Sequence, residues 1–189
     1  MALEKLKEQI NKYVPYNEQE EMDKSLLLDF IDKNNNCLTR ENRIAHFTAS
    51  NWIVNKDRTK VLMIYHNIYN SWAWTGGHAD GDEDLMHVAL KEAEEESGLK
   101  NLKPLIEGVF SLESLTVNGQ IKRGKYVSSH LHLNCSFLFE ADEADELKIK
   151  EDENSGVKWL DIDKVIDLVR EENMKPIYSK LNHKLFELK

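Results

Sequence analysis

Residues 77–99 read GHADGDEDLMHVALKEAEEESGL, and the reading of this stretch governs the rest of the chain. A glycine-containing turn precedes Glu83, and a helix follows that carries Lys91, Glu92, Ala93, Glu94, Glu95 and Glu96. At about 100° per residue, the carboxylates of Glu92, Glu95 and Glu96 fall on one narrow stripe, because positions i, i+3 and i+4 are neighbours on a helix surface. Like charges so gathered repel. Such a stripe is either a solvated acidic face or a cradle for a hard divalent cation such as magnesium or manganese. Met86, Ala89, Leu90 and Ala93 form an apolar face, His87, Lys91 and Glu94 point the other way, and the glutamate stripe lies at the edge between core and solvent. Leu85 and Val88 prolong that stripe as an apolar floor. Asp82, Glu83 and Asp84 suit the positive start of the helix, and Gly98 suits a left-handed C-terminal position.

The spacing of Gly77, Glu83, Glu92, Ala93, Glu95, Glu96, Gly98 and Leu99 resembles the Nudix box in one ungapped register, with Lys91 where the family has arginine. Lysine replaces a planar fork by a point charge, yet it can still pair with Glu95 at i+4. The resemblance implies an α/β fold, a Nudix-type α/β/α sandwich with a mixed sheet, here with an N-terminal helical extension. It also implies that Glu92, Glu95 and Glu96, with the carbonyl of Gly76, hold Mg2+ or Mn2+. The implied activity is hydrolysis of a diphosphate linkage in a nucleoside diphosphate joined to another moiety. Glu92, Glu95 or a loop carboxylate, Glu153, would take the proton from water. Glu153 stands before the tryptophan strand Val157–Leu160, although residues 140–153 also read as a solvated acid-rich run. The alternative in another class is a Nudix-fold module that senses a nucleotide without cleaving it; the retained glutamates favour catalysis. A decapping enzyme is a third reading, opposed by the acidic charge.

The chain has 189 residues, 41% hydrophobic and 31% charged, which is ordinary globular usage. Its net charge of -9 argues against a nucleic-acid surface but not against a small phosphorylated substrate, because bound cations can reverse the local sign. Cys37 and Cys135 have no metal-like spacing, so a reducing cytoplasm is expected. There is no long apolar run and no signal-peptide pattern, so no membrane association is expected.

A single compact domain with one extension is expected: an N-terminal helical extension over residues 1–43 and a Nudix hydrolase domain over 44–189. Leu3, Leu6, Ile10, Tyr13 and Val14 repeat at helical spacing before Pro15. Asn17 can cap a second helix carrying Met22, Leu26, Phe30 and Ile31. These helices pack on the main domain, or form a homodimer surface or a substrate lid. Strands are expected at 46–54 and 61–66 around a polar turn at 55–58, then at 105–115, 130–140 and 157–160, with helices at 163–172 and 176–188.

In the strand from His130, the residues Leu131, Leu133, Cys135, Phe137 and Phe139 share one face, and His130, His132, Asn134 and Ser136 the other. His130 and His132, with His78 after the double glycine, are candidate substrate contacts; metal ligation by the pair is the weaker reading. Lys122, Arg123 and Lys125, in a charged loop, are candidate phosphate contacts. Trp72, Trp74, Phe110 and Tyr126 could stack a base or fill ordinary structural roles. The substrate itself is not encoded in the box.

Overall fold

The structure, a computed structural model, describes residues 2–122 and 124–188, and for Ala2 and Lys122 the backbone alone. Helices α1 (Ala2–Lys12) and α2 (Glu18–Lys33) come first, followed by strands β1 (Ala45–Val54), β2 (Lys60–His66), β3 (Ser71–Ala73) and β4 (Thr75–His78). Helix α3 (Leu85–Ser97) leads to β5 (Lys103–Pro104), β6 (Ser111–Val117), β7 (Gln120–Lys122), β8 (Lys125–Val127) and β9 (His130–Glu140). The chain finishes with β10 (Asn154–Asp161), α4 (Val165–Leu168) and α5 (Lys175–Glu187). Eight strands form one sheet in the order β10-β2-β1-β9-β5, with β3 on β2, β4 on β1 and β6 on β9, while β7 and β8 make a separate hairpin. The α/β class with a mixed sheet is the one expected.

The chain divides into two compact units, each contributed by several segments. The first comprises Met1–Ser50, Gly77–Val88 and Gly108–Phe137. In it α1 buries Leu6 and Ile10, and α2 buries Leu27 and Ile31, each pair one helical turn apart. Asn17 caps α2 as expected, accepting the Glu20 N–H at 3.0 Å. The expected apolar face of α2 needs correction: Met22 and Leu26 are 67% and 41% exposed. The buried side instead carries Glu20, because a polar patch lies under it. The Gln19 side chain donates to the Leu112 carbonyl at 3.0 Å, and Asp23 accepts the Ser114 N–H at 3.0 Å, so the helix is tied to β6.

Strand β6 pairs antiparallel with β9 from Ser111↔Ser136 to Val117↔His130. The strand expected over 105–115 thus begins late. Gly108, at φ +80, breaks the extended run, and before it Lys103–Pro104 pairs with β9 and the Leu105 N–H donates to the Leu138 carbonyl at 3.1 Å. Along β9 the apolar face is as expected, but Asn134 and Ser136 on the other face are also fully buried. They are satisfied there: Thr48 and Ser50 donate to Asn134 Oδ1 at 2.9 and 2.8 Å, and Asn134 Nδ2 and Ser136 Oγ donate to Glu113 at 2.9 Å each. The charged loop is in fact the β7–β8 hairpin, where Lys122 pairs Lys125 and Gly124 has φ +78.

The second unit comprises Asn51–Gly76, Ala89–Glu107 and Leu138–Lys189. Strand β2 pairs antiparallel with β3 on one side and β10 on the other, and β10 carries an irregularity between Asn154 and Val157. An irregularity of that kind turns the strand and re-aims the residues entering it. Trp52 and Tyr178 stack in the core at 5.3 Å between ring centroids, and α5 adds Leu181 and Leu185. Trp74 meets Tyr178 edge-on at 5.3 Å. The helix expected over 163–172 is a single turn, α4, whereas α5 is close to expectation.

Candidate active site

Helix α3 presents Glu92, Glu95 and Glu96 as the sequence spacing requires, but they do not share one environment. Glu96 is 2% exposed, Glu92 is half-buried and Glu95 is exposed, so the stripe runs from core to solvent and does not follow the edge. Leu85, Val88, Ala89 and Ala93 are the buried apolar residues of the helix, while Met86 and Leu90 are only half-buried. The apolar face is therefore centred closer to the glutamates than expected, which is why Glu96 sinks into the core.

Gly98 ends the helix at φ +80, as its position suggested. A Cβ there would lie 2.9 Å from both the backbone nitrogen and the Cβ of Lys148, so glycine also permits the close passage of residues 148–154. The Lys148 N–H donates to the Ser97 carbonyl at 2.8 Å, and buried Asn154 donates to the Glu96 carbonyl at 3.0 Å. These two bonds fix the turn that carries Lys150 and Glu153 against the end of α3. Lys150 Nζ lies 3.0 Å from Glu95 Oε2 and 3.3 Å from Glu153 Oε1, and Lys91 Nζ lies 3.8 Å from Glu95 Oε1. From β4, the Gly76 N–H donates to Glu96 Oε2 at 2.8 Å.

Burial drives the proton affinity of Glu96 well above the ordinary carboxylate value; the Gly76 N–H opposes this, and the neighbouring Glu92 and Glu153 reinforce it. Burial raises Glu92 as well, with Lys150 opposing and Glu95 adding to the shift. Glu95 goes the other way, because its bond to Lys150 stabilises the ionised form. Burial works against the charge of Lys150, but Glu95 and Glu153 hold its proton more firmly than an ordinary lysine's. Four neighbouring carboxyl groups thus stand against two ammonium groups, Lys150 and Lys91, which among the described residues pair only with Glu95 and Glu153, an excess of acid with one member inside the core. A set of oxygen donors with surplus negative charge fits a hard divalent cation.

Glu153, expected from the loop before the tryptophan strand, is therefore beside the box glutamates. Lys150 and Asn154 were not singled out by sequence reasoning. The one available signal was a lysine inside an otherwise acidic run, which is weak.

The candidate substrate residues separate into two groups. His78, His130 and His132 come together in the first unit with a fourth histidine, His46, which sequence reasoning missed because it lies on a different strand. The His46 ring centroid is 5.1 Å from that of His78, 5.0 Å from His130 and 5.1 Å from His132. In the β7–β8 hairpin Lys125 is exposed; Arg123 and the Lys122 side chain lie outside the described residues. Of the aromatic candidates, Phe110 is buried, Trp72 packs edge-on against Tyr65 at 5.3 Å, and Tyr126 is exposed.

A family model of the NUDIX domain matches residues 45–183. The chain therefore belongs to the Nudix family, and it is a hydrolase acting on phosphoric anhydride bonds. It is 29% identical over 140 residues to an RNA pyrophosphohydrolase of Pelagibacter ubique (strain HTCC1062), covering 72% of this chain and 88% of that one. It is 26% identical over 109 residues to the uncharacterized Nudix hydrolase YvcI of Bacillus subtilis (strain 168), covering 58% and 63%. Among solved structures, a C. elegans Ap4A hydrolase binary complex matches with a TM-score of 0.55 at 19% identity, covering 74% of this chain and 98% of that one. A NUDIX-family hydrolase from Clostridium perfringens matches with a TM-score of 0.53 at 20% identity, covering 74% and 97%. At such identities the structural likeness carries the fold alone.

Proposed function

We propose that the protein is a Mg2+- or Mn2+-dependent hydrolase that cleaves the diphosphate linkage of a nucleotide or nucleotide derivative. The observation that carries this reading is the closeness of Glu92, Glu95, Glu96 and Glu153, with Glu96 buried against Glu92 and Glu153 and only Glu95 and Glu153 paired to Lys150 among the described residues. Glu92, Glu95 and Glu96, with the carbonyl of Gly76, would hold the cation. When bound, it supplies neutralisation of phosphate charge and acidification of a water.

The chain's own residues do the rest. The Gly76 N–H and the surrounding core fix the Glu96 carboxyl, so its orientation is set before substrate arrives. Lys150 keeps Glu95 ionised and anchored, which makes Glu95 a poor proton acceptor. Burial raises the proton affinity of Glu92 above the ordinary carboxylate value, the direction that favours a proton acceptor, and Glu153 is the second carboxylate available to take the proton from the attacking water. Lys122, Arg123 and Lys125 would screen substrate phosphates, and His78, His130 and His132 are proposed substrate contacts.

A second reading, removal of pyrophosphate from RNA, is favoured by the named activity of the Pelagibacter relative. The net charge of -9 weighs toward small phosphorylated substrates instead. Buried, unpaired Cys37 and Cys135 support a reducing cytoplasmic setting, and among the described residues no helix is long and apolar enough to cross a membrane. The extension over residues 1–43 is proposed as an addition to the family domain that packs on β6, with a homodimer surface as one use.

The test is release of phosphate or pyrophosphate with Mg2+ from nucleoside triphosphates, ADP-ribose, dinucleoside polyphosphates, nucleotide sugars and 5′-triphosphorylated RNA. Metal-dependent turnover of a small substrate, lost in Glu96→Gln, supports the proposal. Turnover of RNA alone would transfer it to the second reading, and silence on every substrate would contradict both.

A further inference from the structure

We propose that His46, His130 and His132 form a binding site for a borderline transition-metal ion of the zinc class, separate in ligand chemistry from the carboxylate set on α3. The three side chains come from β1 and β9, and each can offer a ring nitrogen such that the three atoms lie within 4.8 Å of one another. His130 Nε2 and His132 Nε2 are 3.2 Å apart. Two imidazole nitrogens on a tetrahedral zinc ion, at about 2.0–2.1 Å from the metal, stand about 3.3 Å from each other. The contact is a hydrogen bond in which His132 Nε2–H donates to His130 Nε2, and a metal displacing that hydrogen would find the pair at the edge length of such a site.

The tautomers point the same way. His46 Nδ1 lies 3.1 Å from the Asn42 carbonyl, and His130 Nδ1 lies 2.9 Å from the Ser128 carbonyl. A carbonyl only accepts, so both Nδ1 atoms carry their hydrogens and both Nε2 atoms present lone pairs. Backbone carbonyls behind the distal nitrogens are the usual means of orienting metal-bound imidazoles. His46 is only 4% exposed, and its Nε2 is buried with no hydrogen-bond partner among the described residues. A lone pair left bare in the interior is costly unless something occupies it. The neighbouring charges, Arg40 and Asp80, are paired with each other at 2.7 and 2.5 Å and so oppose a cation little. Imidazole donors select zinc, cobalt, nickel or copper over magnesium. Three protein ligands leave one tetrahedral position for an exchangeable ligand. The inference does not rest on the hydrolase reading.

The experiment uses the full chain, stripped with chelator and then held in excess Mg2+ to occupy the carboxylates, and titrates it with Co2+ followed by Zn2+. The expected result is the intense visible absorption of four-coordinate, nitrogen-ligated Co2+ at one equivalent, displaced by one equivalent of Zn2+. In His130→Gln and in His132→Gln, both at half-buried positions, Zn2+ affinity should fall more than about 100-fold, while His87→Gln, outside the cluster, should leave it unchanged. In case the variants fold poorly, imidazole nitrogen NMR of the wild type provides a second reading: Zn2+ should shift the Nε2 resonances of His46, His130 and His132 together. Absence of the four-coordinate absorption, Zn2+ affinity in the folded variants within about threefold of wild type, or Nε2 resonances that do not move would each overturn the proposal. None of these readouts depends on hydrolysis, so failure here leaves the carboxylate site untouched.

Discussion

Glu20 and Glu113 in the first unit, and Glu92, Glu95, Glu96 and Glu153 in the second, are two clusters of the same side chain held in opposite ways. Glu20 accepts from the Tyr13 hydroxyl at 2.5 Å, the Tyr16 N–H at 2.8 Å and the Ser111 hydroxyl at 2.8 Å. Glu113 accepts from Asn134 and Ser136 at 2.9 Å each and lies beside the same Ser111 hydroxyl. These partners are neutral donors, and burial, with Glu20 beside it, keeps the Tyr13 phenol protonated and donating. The Ser111 hydroxyl has a single hydrogen for two carboxyl groups, so it holds the pair as one network. On α3, Glu96 has one backbone donor and otherwise faces other carboxyls. A carboxylate ringed by neutral donors locks a structure. A carboxylate set against its own kind is left with unspent charge, and that charge can capture a cation.

The contrast breaks most visibly if the second cluster is substituted without loss of rate. Glu92→Gln should lower turnover by about 10²–10⁴-fold, the range for loss of a general base or cation ligand, while thermal unfolding in chelator stays level or rises. Steady-state kinetics with saturating Mg2+ checks the rate. Glu20→Ala should do the reverse. It strips the acceptor from Tyr13, Tyr16 and Ser111, so urea denaturation should report a loss of about 3 kcal/mol while the folded fraction keeps its turnover.

A third expectation concerns pH. The Glu96 proton is held more tightly in the folded, metal-free protein than in the unfolded chain, so the folded state binds more protons, and stability falls as pH rises above the ordinary value of 4.5. In chelator, the melting curves of wild type should show this decline, up to about 1.4 kcal/mol per pH unit for one proton, and in Glu96→Gln the decline should be smaller, the remainder coming from Glu92. Equal slopes in the two proteins would remove the assigned role of burial. Lys150→Met should give the smallest effect: loss of the competing ammonium should tighten Mg2+ binding by less than about tenfold, since the lysine is partly exposed to solvent.

Much of the second cluster was legible in the sequence because it is local. Glu92, Glu95 and Glu96 are brought together by helical periodicity alone, and Gly98 announces the end of that helix. The Asn17 cap, the β9 alternation and the hairpin turn before β2 are local in the same sense. What could not be read depends on pairing between distant segments. His46 meets His130 and His132 because β1 and β9 run side by side, and Lys150 meets Glu95 because Asn154 and the Lys148 backbone tie the turn to α3. The same cause explains the errors on α2. Periodicity assigned Met22 and Leu26 to the buried face, whereas the polar network on β6 and β9 draws Glu20 inside.

The central claim is that the α3 glutamates form a cation cradle and not a solvated acidic face. Calorimetric titration of chelator-stripped protein with Mg2+, an ion that imidazoles bind poorly, tests it most directly when wild type and Glu96→Gln are compared side by side. The structure predicts saturable binding in the wild type and at least a tenfold weaker affinity in the variant, with unfolding of the variant in chelator no easier than that of the wild type. Identical Mg2+ affinity in the two folded proteins would contradict the account.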